Sequence, residues 1–567
     1  MNQELKTALI SVYNKDGIVE FAKELVSLNF KILASGGTAK ILTSAGVEVL
    51  DTADLVGEAI LGHRVVTVSR EIHAGLLSRD NEEDNQELTK LNIPRIDLVC
   101  VDLYPLAEEI AKWNQVTLTR PDQGRDTLSQ GEREKMTTAI IEKTDIGGPT
   151  IIRSAAKGRR IVVCDPTDRE KVIVWLKSGE QNREEFVSNL CAKAEFIVAD
   201  YALTSARYHS KGEFDGFLGQ QILECKYGEN GWQTPAGLFE SKLFIPDPLA
   251  VSQFKLVAGT APSYNNLADV DRLLQTITHI GAGFDVNFSQ QSIPGGEKNK
   301  VLRAIAVGGK HGNSCGAGIS NNPKIAIEKM LEGDLRAIFG GVVMVNFSID
   351  ESLAEVLLSH RMENNQRRLL DGVVAPAFTK EAVDLLKRKG DKCRFLVNPA
   401  LENLTKSSLD TNFRFRYVRG GFLKQPNYTY VLDLSQAEIN GEISEPQKID
   451  LVLAWAVGAT SNSNTVTLVK DQMLIGNGVG QQDRVGGCEL AVKRAKDSGH
   501  EPSGSCAYSD SFFPFVDGVA VLATAGIKTV FATSGSVRDE EIKKFCADSK
   551  IALLMLPDAQ ARGFFGH

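Results

Sequence analysis

The chain has 567 residues, 43% hydrophobic and 24% charged, with 64 Lys plus Arg against 72 Asp plus Glu, a net charge of −8. That length suits two to four domains with cores of their own, and the composition excludes a disordered, collagen-like or fibrous chain. The acidic balance argues against broad electrostatic adhesion to nucleic acid or anionic membrane.

The first fifty residues alternate between strand and helix patterns. TALISV reads as a buried strand, GIVEFAKELVSLN as an amphipathic helix, FKILAS as a strand, TAKILTSAG as a helix and VEVLD as a strand. Such a βαβαβ unit requires a parallel sheet covered by helices, with ligands beyond the carboxyl ends of the strands. IDLVCVDLYPL from Ile96 and RRIVVCDP from Arg159 continue the pattern, so one α/β domain is expected over residues 1–200. The charged stretch 117–143, with little periodicity, is expected to be a surface insertion or mobile loop. Residues 201–567 form a second domain with Gly-rich turns at 308–318, 339–341, 419–421 and 476–481, long enough for two subdomains, and no short repeat is visible in it.

Nine cysteines are scattered without a Cys-x-x-Cys pair, no run of 18 apolar residues occurs, and MNQELKTALISVYNKDG lacks the pattern of a signal peptide. A reduced, cytoplasmic chain is expected, without a metal centre, since neither zinc-finger spacing nor the His-x-Glu…Pro-Cys-x-x-Cys pattern of zinc deaminases is present.

Several segments carry chemistry. Ser35, Gly36, Gly37 and Thr38 lie between a predicted strand and a helix, a place suited to phosphate, though equally to a plain connection. In DIGGPTIIRSAAKG, Asp145 precedes a helix on which Arg153 and Lys157 share a face. GNGVGQ has the wrong spacing for a dinucleotide loop, and GGKHG is not a Walker A loop because His311 follows Lys310. Lys310 beside His311 in a Gly-rich turn suits a neutral imidazole acting as a base, although most loop histidines are ordinary surface residues. SDSFFPFVDG, with three Phe and a Pro between Asp510 and Asp517, suits either an aromatic slot for a flat ring or a core strand edge.

In order along nearly the whole chain, ASGGTAK, DLYP, DIGGPTIIRSAAK, KYGEN, SYNNLAD, KHGNSCGAG, FGG, VRGG, AWAV, GVGQQDRV and SDSFFPFVD resemble the signatures of the bifunctional AICAR transformylase/IMP cyclohydrolase family. The resemblance implies an N-terminal domain like methylglyoxal synthase that closes formyl-AICAR to IMP. It also implies a C-terminal transformylase of two zinc-free, cytidine-deaminase-like subdomains that passes a formyl group from 10-formyltetrahydrofolate to AICAR, in a homodimer. By position it implies that Lys15, Ser35 to Thr38, Arg64 and Thr67 hold the nucleotide phosphate, and that Tyr104, Asp145 and Lys157 lie near the closing ring. In the second domain it implies Lys226, Tyr227, Asn266, Asn464 and Arg562 on AICAR, and His311 with Lys310 relaying protons. Arg484, Phe512, Asp517, Ser534 and Gly535 would border the folate.

Departures from the family pattern accompany these matches. Val66 replaces the Lys of R-V-K-T-L-H-P, Lys226 the Arg of R-Y-G-E-N-P-H-Q, and Gly231-Trp232 its Pro-His. Asn313, Ser314, Cys315 and Gly316 stand for N-P-C-G, and Asn462 for a basic residue before Ser463-Asn464. Besides the two-step enzyme, the departures leave open a transformylase with a weak or inactive cyclohydrolase domain, and a non-catalytic nucleotide-binding protein.

Overall fold

A computed structural model describes residues 5–61, 65–118, 130–241, 245–288, 303–364 and 366–566. The chain divides into two compact units, 1–218 and 219–567. The break falls beyond the expected position near 200 because one long helix, Arg183–His209, continues through it and is followed by a turn that Arg207 holds by a 2.6 Å ion pair to Asp215.

The first unit is built on a parallel sheet of β1 (Lys6–Ser11), β2 (Phe30–Ala34), β3 (Val49–Asp51), β4 (Leu98–Val101) and β5 (Ile161–Val163), in the order β3-β2-β1-β4-β5. Its central strands are continuous apolar runs, as burial on both faces demands; Ala8, Leu9, Ile10, Leu98 and Val99 are fully buried. Helix Gly36–Ser44 starts earlier than the periodicity predicts, so the Gly36-Gly37 pair forms its first turn with Ser35 at the N-cap. The expectation of a loop over 117–143 is corrected where the chain is described, since Gln130–Glu142 is a helix. Its GEREKMTTAIIE sequence is rich in helix formers, but the face it buries is small, so the periodicity that reveals most helices is missing.

The second unit contains two hairpins outside its main sheet, β6 (Gln220–Cys225) with β7 (Ala236–Glu240), and β14 (Phe413–Val418) with β15 (Gly421–Pro426). The main sheet has twelve strands. One half comprises β8 (Lys255–Ala258), β9 (Ala304–Lys310), β10 (Asn313–Ser320), β11 (Val342–Val345), β12 (Gly372–Ala375) and β13 (Arg394–Val397). The other comprises β16 (Glu438–Asn440), β17 (Val466–Lys470), β18 (Met473–Gly478), β19 (Cys506–Ser509), β20 (Thr529–Ser534) and β21 (Ala552–Pro557). The order is β16-β21-β20-β19-β17-β18-β10-β9-β11-β12-β13-β8. Read outward from the β10–β18 seam, both halves show a hairpin, an antiparallel neighbour, two parallel steps and an antiparallel edge.

The two expected subdomains are therefore halves of one compact unit, and the second unit is internally doubled. The glycines follow the doubling. A Cβ on Gly316 would lie 2.0 Å from the Met330 carbonyl oxygen, and one on Gly476 2.3 Å from that of Ala491, so each marks a close strand-to-helix approach. This packing explains GNGVGQ without a dinucleotide.

Candidate active sites in the two units

In the first unit the chain leaves β1 toward β2 on one side and β4 on the other, and the loops at that switch point carry the candidate residues. Asp102, just past β4, accepts the N–H groups of Tyr13 and Asn14, fixing the loop after β1. Lys15 then reaches the Thr38 hydroxyl at 2.9 Å and the Val12 carbonyl, and the Ser11 and Ser35 hydroxyls are 2.9 Å apart. Burial pulls the Lys15 pKa down, with Asp102 acting the other way. Lys15, Ser35 and Thr38 thus meet at the N-terminus of helix Gly36–Ser44, where unpaired N–H groups and a cation suit a phosphate. Arg64 lies outside the described residues.

Tyr104 and Asp145 form a second cluster. Asp145 accepts the Gly148 N–H at 2.9 Å, and its own N–H donates to the Tyr201 hydroxyl, which donates in turn to the Lys143 carbonyl. Burial raises the Asp145 pKa against the N–H groups that lower it, and burial followed by the Asp145 charge raises that of Tyr104. A Cβ on Gly147 would lie 2.9 Å from the Thr67 hydroxyl and 4.0 Å from Asp145 Oδ1, so Thr67 and Asp145 border the same space. Lys157 does not join them within one chain. It ends helix Gly147–Lys157, whose ten-residue rise sets its Cα about 15 Å from that of Gly147.

In the second unit the β9–β10 turn carries Lys310 and His311. His311 has φ 55° and Gly312 φ 71°, and the Gly312 N–H donates to Asp269 at 2.7 Å. Lys310 Nζ donates to the Phe339 carbonyl at 3.0 Å. On the helix Tyr264–Phe288, Asn266, Asp269 and Arg272 recur every three residues and share a face. Asn266 accepts the Ser263 N–H and hydroxyl, Asp269 holds the histidine turn, and Arg272 donates to the Thr460 and Phe565 carbonyls and to Asn462 Oδ1. The adjacent Asn265 donates to the Glu229 carbonyl, tying the turn that carries Lys226 and Tyr227 to the same helix end.

Asn464 is set by Arg484, whose guanidinium donates to Asn464 Oδ1 at 2.9 Å and to the fully buried Asp510. Asp510 also accepts the Ser463 hydroxyl and the Thr465 N–H. Arg562 stands 3.7 Å from Asp558, which accepts the Ser511 and Thr533 hydroxyls. Ser534 ends β20, and the Gly535 N–H donates to Asp539. Of the two readings of SDSFFPFVDG, the core suits Phe513, which is buried beneath Gly518, while Phe512 is half-buried and Phe515 is exposed under Arg538. Asp517 sits exposed in the first turn of the helix that follows.

Tyr13, Asp102, Lys143, Tyr201, Asp269 and Arg272 are the polar residues that sequence reasoning missed. The three-residue recurrence from Asn266 was a signal for Asp269 and Arg272. The others depend on contacts across long stretches of chain.

Comparison with known proteins matches residues 155–494 to the AICARFT/IMPCHase bienzyme model and residues 17–150 to the MGS-like domain. "Bifunctional purine biosynthesis protein PurH" of Bacillus cereus (strain ZK / E33L) is 33% identical over 97% of this chain and 98% of its own. The protein of that name from Anoxybacillus flavithermus (strain DSM 21510 / WK1) is 34% identical over 94% and 95%. A solved chain titled "Crystal structure of ForH" is 30% identical and aligns over 36% of this chain and all of its own, with a TM-score of 0.28. With both its halves matched and relatives aligned nearly end to end, the chain belongs to the AICARFT/IMPCHase bienzyme family.

Proposed function

We propose that the second unit transfers a formyl group from 10-formyltetrahydrofolate to the amine of AICAR and that the first unit closes formyl-AICAR to IMP. The observation that carries this reading is the His311 turn, held by Asp269 on the helix face that also presents Asn266 and Arg272. In transfer, the AICAR amine attacks the formyl carbon, the carbonyl π pair moves to oxygen and returns, and the C–N bond to the folate nitrogen breaks. The amine must lose a proton and the folate nitrogen gain one, a relay suited to His311. Lys226, Tyr227, Asn266, Asn464 and Arg562 are read as AICAR contacts, and Phe512, Asp517, Ser534 and Gly535 as the folate border. Arg484 acts on the site through Asn464.

In closure, Lys15, Ser35, Thr38 and Thr67 are read as holding the phosphate, with Tyr104 and Asp145 at the ring. A coupled assay that follows tetrahydrofolate and IMP separately tests both steps. Val66, beside Thr67, favours the second reading, a transformylase with a feeble cyclohydrolase. Formation of tetrahydrofolate without IMP would establish it.

A homodimer also belongs to this reading. Hairpins β6–β7 and β14–β15 stand outside the main sheet, yet two-stranded ribbons are marginal alone in water, and they expose Phe239, Phe413, Tyr417 and Leu423. Light scattering that finds a fully active monomer overturns the dimer. Nine cysteines, none in a disulfide, fit a reducing cytoplasm, and among the described residues no helix is long and apolar enough to cross a membrane.

A further inference from the structure

We propose that Lys143 is the substrate-facing cation of ring closure in this chain, supplying from the Asp145 turn the charge that Val66 does not; this rests on the cyclohydrolase reading of the first unit. The Lys143 ammonium lies 5.2 Å from the Tyr13 ring centroid and 5.6 Å from that of Tyr104, and the two rings meet edge to face at 5.4 Å. Both tyrosines are over 40% exposed, so the cation sits at an open mouth rather than in the core. The contacts described for the ammonium are these two ring faces. A cation held by ring faces keeps its charge available to a ligand.

Its placement is fixed from both sides. The Tyr201 hydroxyl bonds the Lys143 carbonyl and the Asp145 N–H, so the backbone that carries the ammonium is pinned to the backbone that carries the carboxylate. Val66 belongs to the same neighbourhood, because the next residue, Thr67, borders Gly147 and through it Asp145. Position 66 and Lys143 therefore lie in two helix-to-helix connections that meet at Gly147.

Closure needs such a charge. The carboxamide nitrogen forms a bond to the formyl carbon with its lone pair, and the C=O π pair moves onto oxygen, which takes up a proton as the nitrogen releases one. The hydroxyl then leaves with the C–O pair. The formamido nitrogen gives up its proton, its N–H electrons close the C=N bond, and water is formed. Negative charge gathers on one oxygen in both steps, where a fixed ammonium is worth most in the transition state.

The test measures closure of supplied formyl-AICAR, with formyl transfer by the same preparation as a control for the intact second unit. Lys143→Met is expected to lower kcat/KM for closure about 100-fold, Lys143→Arg to retain at least a tenth of wild-type activity, and Val66→Lys added to Lys143→Met to recover tenfold or more. Wild-type closure by Lys143→Met overturns the assignment. So does a loss that neither Lys143→Arg moderates nor Val66→Lys repairs, since that marks a structural role. A wild-type chain that fails to accelerate closure at all fails at the earlier reading, which the first measurement separates.

Discussion

Asp269 and Asp450 occupy equivalent places in the two halves of the twelve-stranded sheet. Asp269 accepts the Gly312 N–H in the β9–β10 turn, and Asp450 accepts the Asp471 and Gln472 N–H groups in the β17–β18 turn, each from the helix that precedes its hairpin. The correspondence extends to the lysines that end β9 and β17. Lys310 donates to the Phe339 carbonyl before β11, and Lys470 to the Glu501 and Ser503 carbonyls before β19. What both halves share serves the fold. The position after each lysine differs, His311 in one half and Asp471 in the other, so a side chain able to relay a proton in neutral form stands in one half only.

His311 and Lys310 should therefore respond differently to truncation. His311→Ala is expected to lower formyl transfer by about 10²–10⁴-fold, the usual worth of a general acid–base group, with unchanged closure of supplied formyl-AICAR. Lys310→Ala loses mainly the tie to Phe339, and about a tenfold fall is expected. Steady-state transfer rates for the two variants check this, and an equal loss from both would make Lys310 a chemical partner.

Asp450 predicts a pH dependence of stability. Burial raises its pKa to about 6, with Lys329 and the two turn N–H groups opposing. The fold favours the protonated carboxyl, so this contribution is fully present below the unfolded value near 4 and is lost as pH rises through about 6. Relative to Asp450→Asn, the wild type should lose on the order of 3 kcal/mol between pH 4 and 7, two units at about 1.4 kcal/mol each. Denaturant unfolding of both proteins across that range measures the difference, and a pH-independent gap would falsify the prediction.

The parallel sheet of the first unit was legible because β1, β2 and β4 are apolar runs separated by an amphipathic helix or turn residues, a pattern local to each segment. The internal doubling shows in no repeat of the sequence and was implied only by the family resemblance, because Lys310 and Lys470 make the same kind of bond amid almost no shared sequence and the equivalence lies in strand order. Thr38 stood out by its place between a strand pattern and a helix pattern, and Asn266 only through the family resemblance. Lys143 was not legible: Tyr13 lies 130 residues away in sequence (143 − 13), and only the sheet's switch point brings its ring to the ammonium. Phe513 was left between slot and core since an aromatic run reads alike whether its rings converge or one turns into the core beneath Gly518.

Arg484 should behave as a positioning residue. Its guanidinium spans Asp510 and Asn464, a fork that an ammonium cannot reproduce. Arg484→Lys is expected to raise the KM for AICAR several-fold through a loosened Asn464, with a smaller change in the KM for the folate. Arg484→Ala, which leaves Asp510 buried and unpaired, should cost about 3–5 kcal/mol of stability. Initial-rate kinetics with each substrate varied decide between the two roles, because direct folate contact requires the opposite order of KM changes.

Val66→Lys in the otherwise native chain separates affinity from chemistry. A cation that helps the ground state and transition state alike lowers KM, whereas one that acts only in the transition state raises kcat. With Lys143 already over the Tyr13 and Tyr104 rings, a second ammonium finds the developing oxyanion served and acts mainly on the bound phosphate near Thr67. A charge-assisted contact contributes about 1.5–3 kcal/mol, so formyl-AICAR should bind about tenfold or more tightly while kcat changes less than threefold. Saturation kinetics of ring closure measure both. A large rise in kcat with little change in KM would mean that the native chain lacks a transition-state cation, and Lys143 would then be the tyrosines' partner rather than the substrate's.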